Sequence, residues 1–218
     1  MYAAFDMNET MLSLAPVKTM WDRHIPGAHR EWFARLLHLS LVANETDAYV
    51  DFTSLGGSAL RYVCEANGYE HPDRALDDLK HAMAGLTAHP DVRAGLEMLR
   101  DSGWTMVTLT NSTSTTAVSS LATAGLDGLF DQVLTVEAVA KYKPDPAPYQ
   151  MAAAFLGKPV DEIWMVASHD WDLAGARRAG MRTAYVRRDG LPWASIYEPP
   201  DVAVDDFVEL ADRLAVGQ

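Results

Sequence analysis

The segment IWMVASHDWDLAGARRAG, residues 163–180, predicts a strand that runs directly into a helix. Ile163–Ala167 is a short apolar run, as expected of a parallel strand buried on both faces. A helical pattern follows from Leu173 to Ala179. The turn between them carries Ser168, His169, Asp170, Trp171 and Asp172. Strand followed at once by helix is the repeating unit of an α/β fold.

The same pattern recurs elsewhere along the chain. Further apolar strand-like runs are Tyr2–Asp6, Thr105–Leu109, Gln132–Thr135 and Thr183–Arg187. Helical patterns separate the later runs, and such alternation implies right-handed crossovers between parallel strands. We therefore expect an α/β fold with a Rossmann-like core, in which helices flank a central parallel sheet.

One region interrupts this alternation. Residues 13–87 read as almost entirely helical, with predicted helices at Glu31–Val42, Phe52–Asn67 and Arg74–Ala84. We expect residues 1–12 and 88–218 to form the α/β core. Residues 13–87 would then be an inserted helical cap subdomain over the carboxyl edge of the sheet.

Composition excludes several classes of partner. The formal charge of −12 disfavours nucleic acid and anionic membranes. Apolar runs fall far short of the ~20 residues that cross a bilayer, and no basic, then apolar, signal region is seen at the start. Cys64 is the single cysteine, so neither an intrachain disulfide nor a cysteine-rich metal site is possible. The expected location is the cytoplasm.

Polar residues stand where the predicted strands end. Asp6 ends the first run, Thr110-Asn111-Ser112 follows the second, Lys143 follows the third, and Asp172 lies just beyond the fourth. Taken singly, each residue is ordinary, because carboxylates and hydroxyls cap helices and loop lysines are usually solvated. Ligands of open α/β sheets bind beyond the carboxyl ends of the strands. All four strand ends together therefore indicate an active site.

Four motifs resemble those of the haloacid dehalogenase superfamily, and most closely its type II L-2-haloacid dehalogenases. The motifs, in chain order, are FDMNET (5–10), LTNST (109–113), YKPDPAPY (142–149) and VASHDWDLAGARRAGM (166–181). Within the helical region, EWFARLLHLSL (31–41) is similar to the cap segment that supplies the halide-binding arginine. The resemblance spans nearly the whole chain.

The resemblance implies hydrolytic dehalogenation of a short, anionic 2-haloalkanoic acid to a 2-hydroxy acid, with no metal or cofactor, by a homodimer. Asp6 would be the nucleophile that forms an ester, Lys143 would keep it ionised, and Asp172 would position or deprotonate the water. The implied catalytic group is Asp6, Thr10, Arg35, Thr110, Asn111, Lys143, Tyr149, Ser168, His169 and Asp172.

The resemblance also implies the substrate-binding residues. Thr110 and the backbone N–H groups near Met7 and Asn8 would bind the substrate carboxylate. Arg35 and Asn111 would receive the halide, with Trp171 as a wall. Leu39 and Phe52 would line the apolar pocket around the substrate carbon.

Two substitutions separate the chain from the magnesium-dependent phosphatases of the superfamily. Asn8 stands where those enzymes carry a general-acid aspartate, and Ala167-Ser168 replaces the Gly-Asp pair whose aspartate binds the metal. A phosphatase, or a relative with a substrate other than haloacids, remains the alternative. His169 stands where asparagine is usual; it is either a base or a simple hydrogen-bonding replacement.

Overall fold

The computed structural model describes residues 1–188, 190 and 192–216; residues 189, 191, 217 and 218 of the expected core lie outside this description. Within it the strands are β1 (Tyr2–Phe5), β2 (Leu12–Ser13), β3 (Thr87–Ala88), β4 (Thr105–Thr110), β5 (Gln132–Thr135), β6 (Ile163–Ala167), β7 (Arg182–Val186) and β8 (Val202–Val204). The α-helices there are α1 (Ala15–His24), α2 (His29–Glu45), α3 (Phe52–Ala66), α4 (Pro72–Ala84), α5 (Val92–Asp101), α6 (Ser114–Thr123), α7 (Pro146–Leu156), α8 (Asp170–Ala179) and α9 (Phe207–Val216).

The six-stranded sheet has the order β5-β4-β1-β6-β7-β8, and every neighbouring pair is parallel. β1 lies between β4 and β6, and its residues Ala3, Ala4 and Phe5 are completely buried. The expected parallel α/β fold is confirmed. Because β4, β1 and β6 are adjacent and parallel, the side chains that follow them meet at one edge of the sheet.

The helices α1–α4, here called the helical block, are inserted into the core at one place, between β2 and β3. β2 and β3 form a short antiparallel pair, with Leu12 opposite Ala88 and Ser13 opposite Thr87. Within the block α2 packs on α3 and α1 on α4, and α4 also contacts α6 of the core. The block therefore lies against the same side of the core as the loop after β4.

Two elements at the end of the described chain were not predicted. β8 extends the sheet beside β7, and α9 packs on α5. Gly95 permits this packing, because a Cβ there would lie 2.2 Å from the carbonyl oxygen of Phe207. No helix of the described residues is both long enough and apolar enough to cross a membrane.

Candidate active site

A buried lysine joins the two carboxylates of the strand ends. The Lys143 ammonium donates to Asp6 Oδ1 at 2.9 Å, to Asp172 Oδ2 at 2.6 Å and to the carbonyl of Leu109 at 2.8 Å. The side chains of Lys143 and Asp172 are 0% exposed and that of Asp6 is 8% exposed. We call Asp6, Lys143 and Asp172 the carboxylate–lysine triad. Asp6 directly follows β1, Lys143 lies in the loop after β5, and Asp172 lies in the first turn of α8, which follows β6.

Within the triad, the pKa values of the two carboxyls shift in opposite directions. Burial raises the pKa of Asp6, but the charge of Lys143 and the contact with His169 outweigh burial, so the net pKa lies well below the usual range. Burial and, in part, the charge of Asp6 raise the pKa of Asp172 despite Lys143. The two carboxylates outweigh burial at Lys143 and raise its pKa. Asp6 is thus held as an anion, the form that a nucleophile requires.

Backbone contacts from two directions fix the position of Lys143. Its N–H donates to Asn111 Oδ1 at 3.0 Å. The preceding residue, Tyr142, accepts from Asn44 Nδ2 and donates its N–H to Asn44 Oδ1, both at 2.8 Å. Asn44 belongs to α2, so the helical block itself holds the loop that carries Lys143.

Tyr149 and Gly175 hold the far side of Asp172. The Tyr149 hydroxyl donates to Asp172 Oδ1 at 2.7 Å, and the carbonyl of Asp172 lies 2.9 Å from the same hydroxyl. A Cβ at Gly175 would lie 2.5 Å from Pro144 Cβ and 2.8 Å from the Tyr149 hydroxyl. α8 can therefore approach the lysine loop this closely only with glycine at 175.

The hydroxyl of Thr10 binds the second carboxylate oxygen of Asp6. Thr10 Oγ1 donates to Asp6 Oδ2 at 2.7 Å and lies 3.1 Å from Ser168 Oγ. The N–H of Ser168 donates to Thr10 Oγ1 at 2.9 Å. With Lys143 on Oδ1 and Thr10 on Oδ2, the carboxylate is fixed at both oxygens. This ties the end of β1 to the end of β6.

Donors for an anion surround the end of β1. Among the described residues, the N–H groups of Met7 and Asn8 have no hydrogen-bond acceptor. Asn8 Nδ2 donates to Ser112 Oγ at 3.3 Å, and Thr110 Oγ1 accepts from the N–H of Ser112 at 3.2 Å. The buried amide nitrogen of Asn111 likewise lacks an acceptor in the described part of the chain. These groups can bind an anion that enters beside Asp6.

Aromatic rings close the pocket above Asp6. The His169 ring stacks on Phe33 with centroids 5.6 Å apart and contacts Trp171 at 5.3 Å. His169 Nδ1 lies 3.4 Å from Asp6 Oδ2, without the alignment of a hydrogen bond. The pocket has a volume of about 20 Å³. Its lining residues are Asp6, Asn8, Phe33, Leu37, Phe52, Thr110, Asn111, Lys143, His169 and Trp171.

The structure does not bring Arg35 and Leu39 into this pocket, contrary to the sequence-based expectation. Phe33 and Leu37 line it instead, four residues apart on α2. Since a helix turns by about 100° per residue, Arg35 projects about 200° away from Phe33. The Arg35 guanidinium lies over the ring of Tyr62 on α3, 4.1 Å from its centroid. The four-residue spacing of Phe33 and Leu37 indicated which face of α2 lines the pocket, and the sequence analysis did not use it.

Glu9 has φ of 62°, a left-handed conformation that is strained for most residues other than glycine. Its carboxylate accepts from the N–H of Leu14 at 2.9 Å, which offsets part of this strain. Among the described residues, no group of three or more His, Cys, Asp and Glu is placed to hold a metal ion.

Comparisons with known proteins agree with this geometry. Residues 2–180 match the model of haloacid dehalogenase-like hydrolases. The chain is 32% identical to (S)-2-haloacid dehalogenase 4A of Burkholderia cepacia over 84% of this chain and 80% of that protein. It is 30% identical to the (S)-2-haloacid dehalogenase of Pseudomonas sp. strain YL, over 97% and 94% of the two chains.

A solved structure repeats the fold over the whole chain. The L-2-haloacid dehalogenase of Xanthobacter autotrophicus with covalently bound chloropropionic acid superimposes with a TM-score of 0.88 at 26% identity, over 100% of this chain and 98% of that one. Together with the strand-end residues around Asp6, these matches show that the chain belongs to the haloacid dehalogenase-like hydrolases, within the L-2-haloacid dehalogenase family.

Proposed function

We propose that this enzyme hydrolyses the carbon–halogen bond of an (S)-2-haloalkanoic acid and releases a 2-hydroxy acid and a halide ion. The observation that carries the proposal is the buried Asp6 carboxylate, which Lys143 holds ionised at 2.9 Å at the edge of the sheet. The relatives named as (S)-2-haloacid dehalogenases support the same chemistry.

The first step is a displacement at carbon. An oxygen of Asp6 attacks C2 of the substrate, the carbon–halogen bond breaks with its electron pair, and an ester joins C2 to Asp6. Attack from the face opposite the halide inverts the configuration at C2. The N–H groups of Met7 and Asn8 and the hydroxyl of Thr110 bind the substrate carboxylate. The free amide donor of Asn111 and the wall formed by Trp171 receive the halide.

The second step is hydrolysis of that ester. Water attacks Cγ of Asp6, and the bond between Cγ and the ester oxygen that is joined to C2 breaks. That oxygen takes up the proton that water loses and leaves as the hydroxyl of the 2-hydroxy acid, and Asp6 is regenerated with one oxygen from water. Both oxygens of Asp172 are already engaged, by Lys143 and by Tyr149, and Asp172 does not line the pocket. His169 lines the pocket beside Asp6 and is therefore the group that takes the proton from water, while Asp172 positions Lys143.

The proposal also covers the role of the helical block, the oligomeric state and the cellular location. The helical block acts as a cap, since Phe33, Leu37 and Phe52 from α2 and α3 close the pocket. Exposed apolar side chains on the same two helices, among them Leu41 and Val42, suit a homodimer contact. A cytoplasmic location is consistent with the single, free thiol in the chain.

The test is a single turnover in oxygen-18 water with enzyme in excess over (S)-2-chloropropionate. Mass spectrometry of the peptide that contains Asp6 should show one oxygen-18 atom in that residue and unlabelled product hydroxyl. Asp6→Asn should release no halide while it still unfolds in a single cooperative thermal transition, which shows that the variant is folded. Label in the product instead of Asp6 would rule out the ester.

A chelator arm separates this function from the phosphatase alternative. Halide release should be the same with and without EDTA, and a phosphate monoester should not be hydrolysed in the presence of Mg²⁺. Asn8 and Ser168 underlie this expectation, because neither supplies the carboxylate that the metal-dependent reaction uses. Magnesium-dependent release of phosphate, with no halide release, would favour the alternative.

A further inference from the structure

A cavity of about 500 Å³ adjoins the small pocket at Asp6. Trp32 and Leu36 of α2, Gly57 of α3, Leu79 of α4 and Ser119 of α6 contribute to its wall. It therefore lies between the helical block and the core. Its volume is in the range of about 300–1,000 Å³ that small-molecule sites occupy. The pocket at Asp6, at about 20 Å³, is far smaller than this cavity.

Only a thin partition separates the cavity from the pocket. The Phe52 side chain lines both spaces. Asn8 lines the pocket, Ser112 lines the cavity, and the two are joined by a single long hydrogen bond of 3.3 Å. A substrate chain that extends from the pocket into the cavity must pass the Phe52 side chain, which is partly buried. Asn8 therefore stands at the junction of the two spaces.

The wall chemistry matches an alkyl chain. Apolar side chains such as Trp32, Leu36, Leu76 and Met83 share the wall with the small hydroxyl residues of α6. Among the described lining residues, Lys80 is the one charged side chain, and it is largely exposed. An apolar chain would lose contact with water there without burying a carboxylate of the protein.

Two consecutive glycines enlarge this space. A Cβ at Gly56 would lie 3.8 Å from Trp32, and one at Gly57 would lie 3.4 Å from Leu76, both ordinary contacts. Backbone packing therefore does not demand glycine here, although glycine within a helix is less favourable than alanine. What the missing side chains provide is volume on the wall of the cavity.

We propose that this cavity binds the alkyl chain of the substrate, so that the enzyme acts on 2-haloalkanoic acids with chains of several carbons beyond C3. This inference rests on the proposed dehalogenase function and extends it to a substrate class. The carboxylate and C2 remain beside Asp6, and the chain from C3 onward passes Phe52 into the cavity.

The test is kcat/KM for halide release from (S)-2-chloropropionate, 2-chlorobutanoate, 2-chlorohexanoate and 2-chlorooctanoate. Each methylene that enters the cavity should raise kcat/KM about fourfold, the factor that corresponds to ~0.8 kcal/mol per buried CH₂. Ser119→Phe, which adds a ring at the cavity wall, should abolish this rise and leave the rate with 2-chloropropionate unchanged. Val118→Phe is the matched control, because Val118 is on the same helix, 53% exposed and outside the lining.

A second variant, Gly57→Leu, fills the cavity from α3 and should have the same effect as Ser119→Phe. Retained turnover of 2-chloropropionate shows that each variant is folded. A native kcat/KM that stays flat or falls with chain length would overturn this inference and leave the proposed function intact. Absence of halide release from every member of the series would overturn both.

Discussion

Replacing Lys143 with methionine removes the one cation of the carboxylate–lysine triad and keeps a long apolar side chain. In the native site its ammonium lies 2.9 Å from Asp6 and 2.6 Å from Asp172. Unit charges at these separations attract by about 6 kcal/mol per pair at an effective dielectric constant of about 20. Desolvation offsets much of this attraction, and breaking a buried pair costs about 3–5 kcal/mol in practice.

Without the ammonium, two buried carboxyls face each other and cannot both ionise near neutral pH. The pKa of Asp6 should therefore rise, and the protonated acid is a poor nucleophile. A loss of ~3 kcal/mol corresponds to about a hundredfold slower halide burst at pH 7. The native burst should be flat between about pH 6 and pH 9, since the pKa of Asp6 is lowered and that of Lys143 is raised. The burst of Lys143→Met should instead increase with pH.

The pH dependence of the free energy of unfolding should also change in Lys143→Met. The lowered pKa of Asp6 stabilises the native fold above the ordinary carboxyl pKa, and this contribution is lost as pH falls through the folded value. A carboxyl with a raised pKa does the opposite: its contribution is present at low pH and is lost as pH rises. Urea unfolding at about pH 5 and pH 8 should therefore show Lys143→Met less stable at the higher pH.

Rapid-quench measurement of halide, with the pH profile, completes the assay. Lys141→Met is the control, because that lysine is two residues away and pairs with the exposed Asp47. Its burst and pH profile should match those of the native enzyme. A Lys143→Met enzyme with the native burst and a flat profile would refute the claim that this ammonium keeps Asp6 ionised.

Arg35→Ala should leave the rate of the halide burst within about twofold of the native rate. It should lower the melting temperature by about 1–4 °C, because Arg35 makes a cation–π contact with the half-exposed Tyr62. A burst slowed a hundredfold would show that Arg35 acts in the site. Gly175→Ala should lower the free energy of unfolding by about 1–3 kcal/mol, measured in urea, since its Cβ would press on the Tyr149 hydroxyl; unchanged stability would contradict the close approach of α8. His169→Asn should preserve the halide burst but lengthen the lifetime of the Asp6 ester, which is measured by mass spectrometry of quenched samples. An unchanged ester lifetime would show that His169 is only a hydrogen-bonding replacement.

The sequence was sufficient for five of the six strands of the sheet and for the edge at which their polar residues meet. Short apolar runs give strands of well-defined position, and Gln132–Thr135 and Ile163–Ala167 coincide with β5 and β6. Parallel strands bring their carboxyl ends together whatever the details of the loops, so Asp6, Lys143 and Asp172 could be grouped before any coordinates. Their distances and pKa directions required the folded chain, because they depend on burial.

The face of a helix was harder to read than its existence. Apolar residues surround Arg35 on both sides in EWFARLLHLSL, so composition marks α2 as buried without showing which side faces Asp6. That choice is made by packing of α2 on α3, which turns Phe33 inward and Arg35 toward Tyr62. The cavity beside the pocket has the same origin, since it exists only between elements distant in sequence.

The charge of the triad has a consequence for how the enzyme meets its substrate. With both carboxyls ionised, the three groups sum to one negative charge, in a chain whose formal charge is −12. A haloacid anion therefore approaches against a field and is held at the end by neutral N–H and amide donors. Added salt screens a repulsion here, so moderate ionic strength favours encounter, whereas it slows enzymes that attract anions through a cationic mouth.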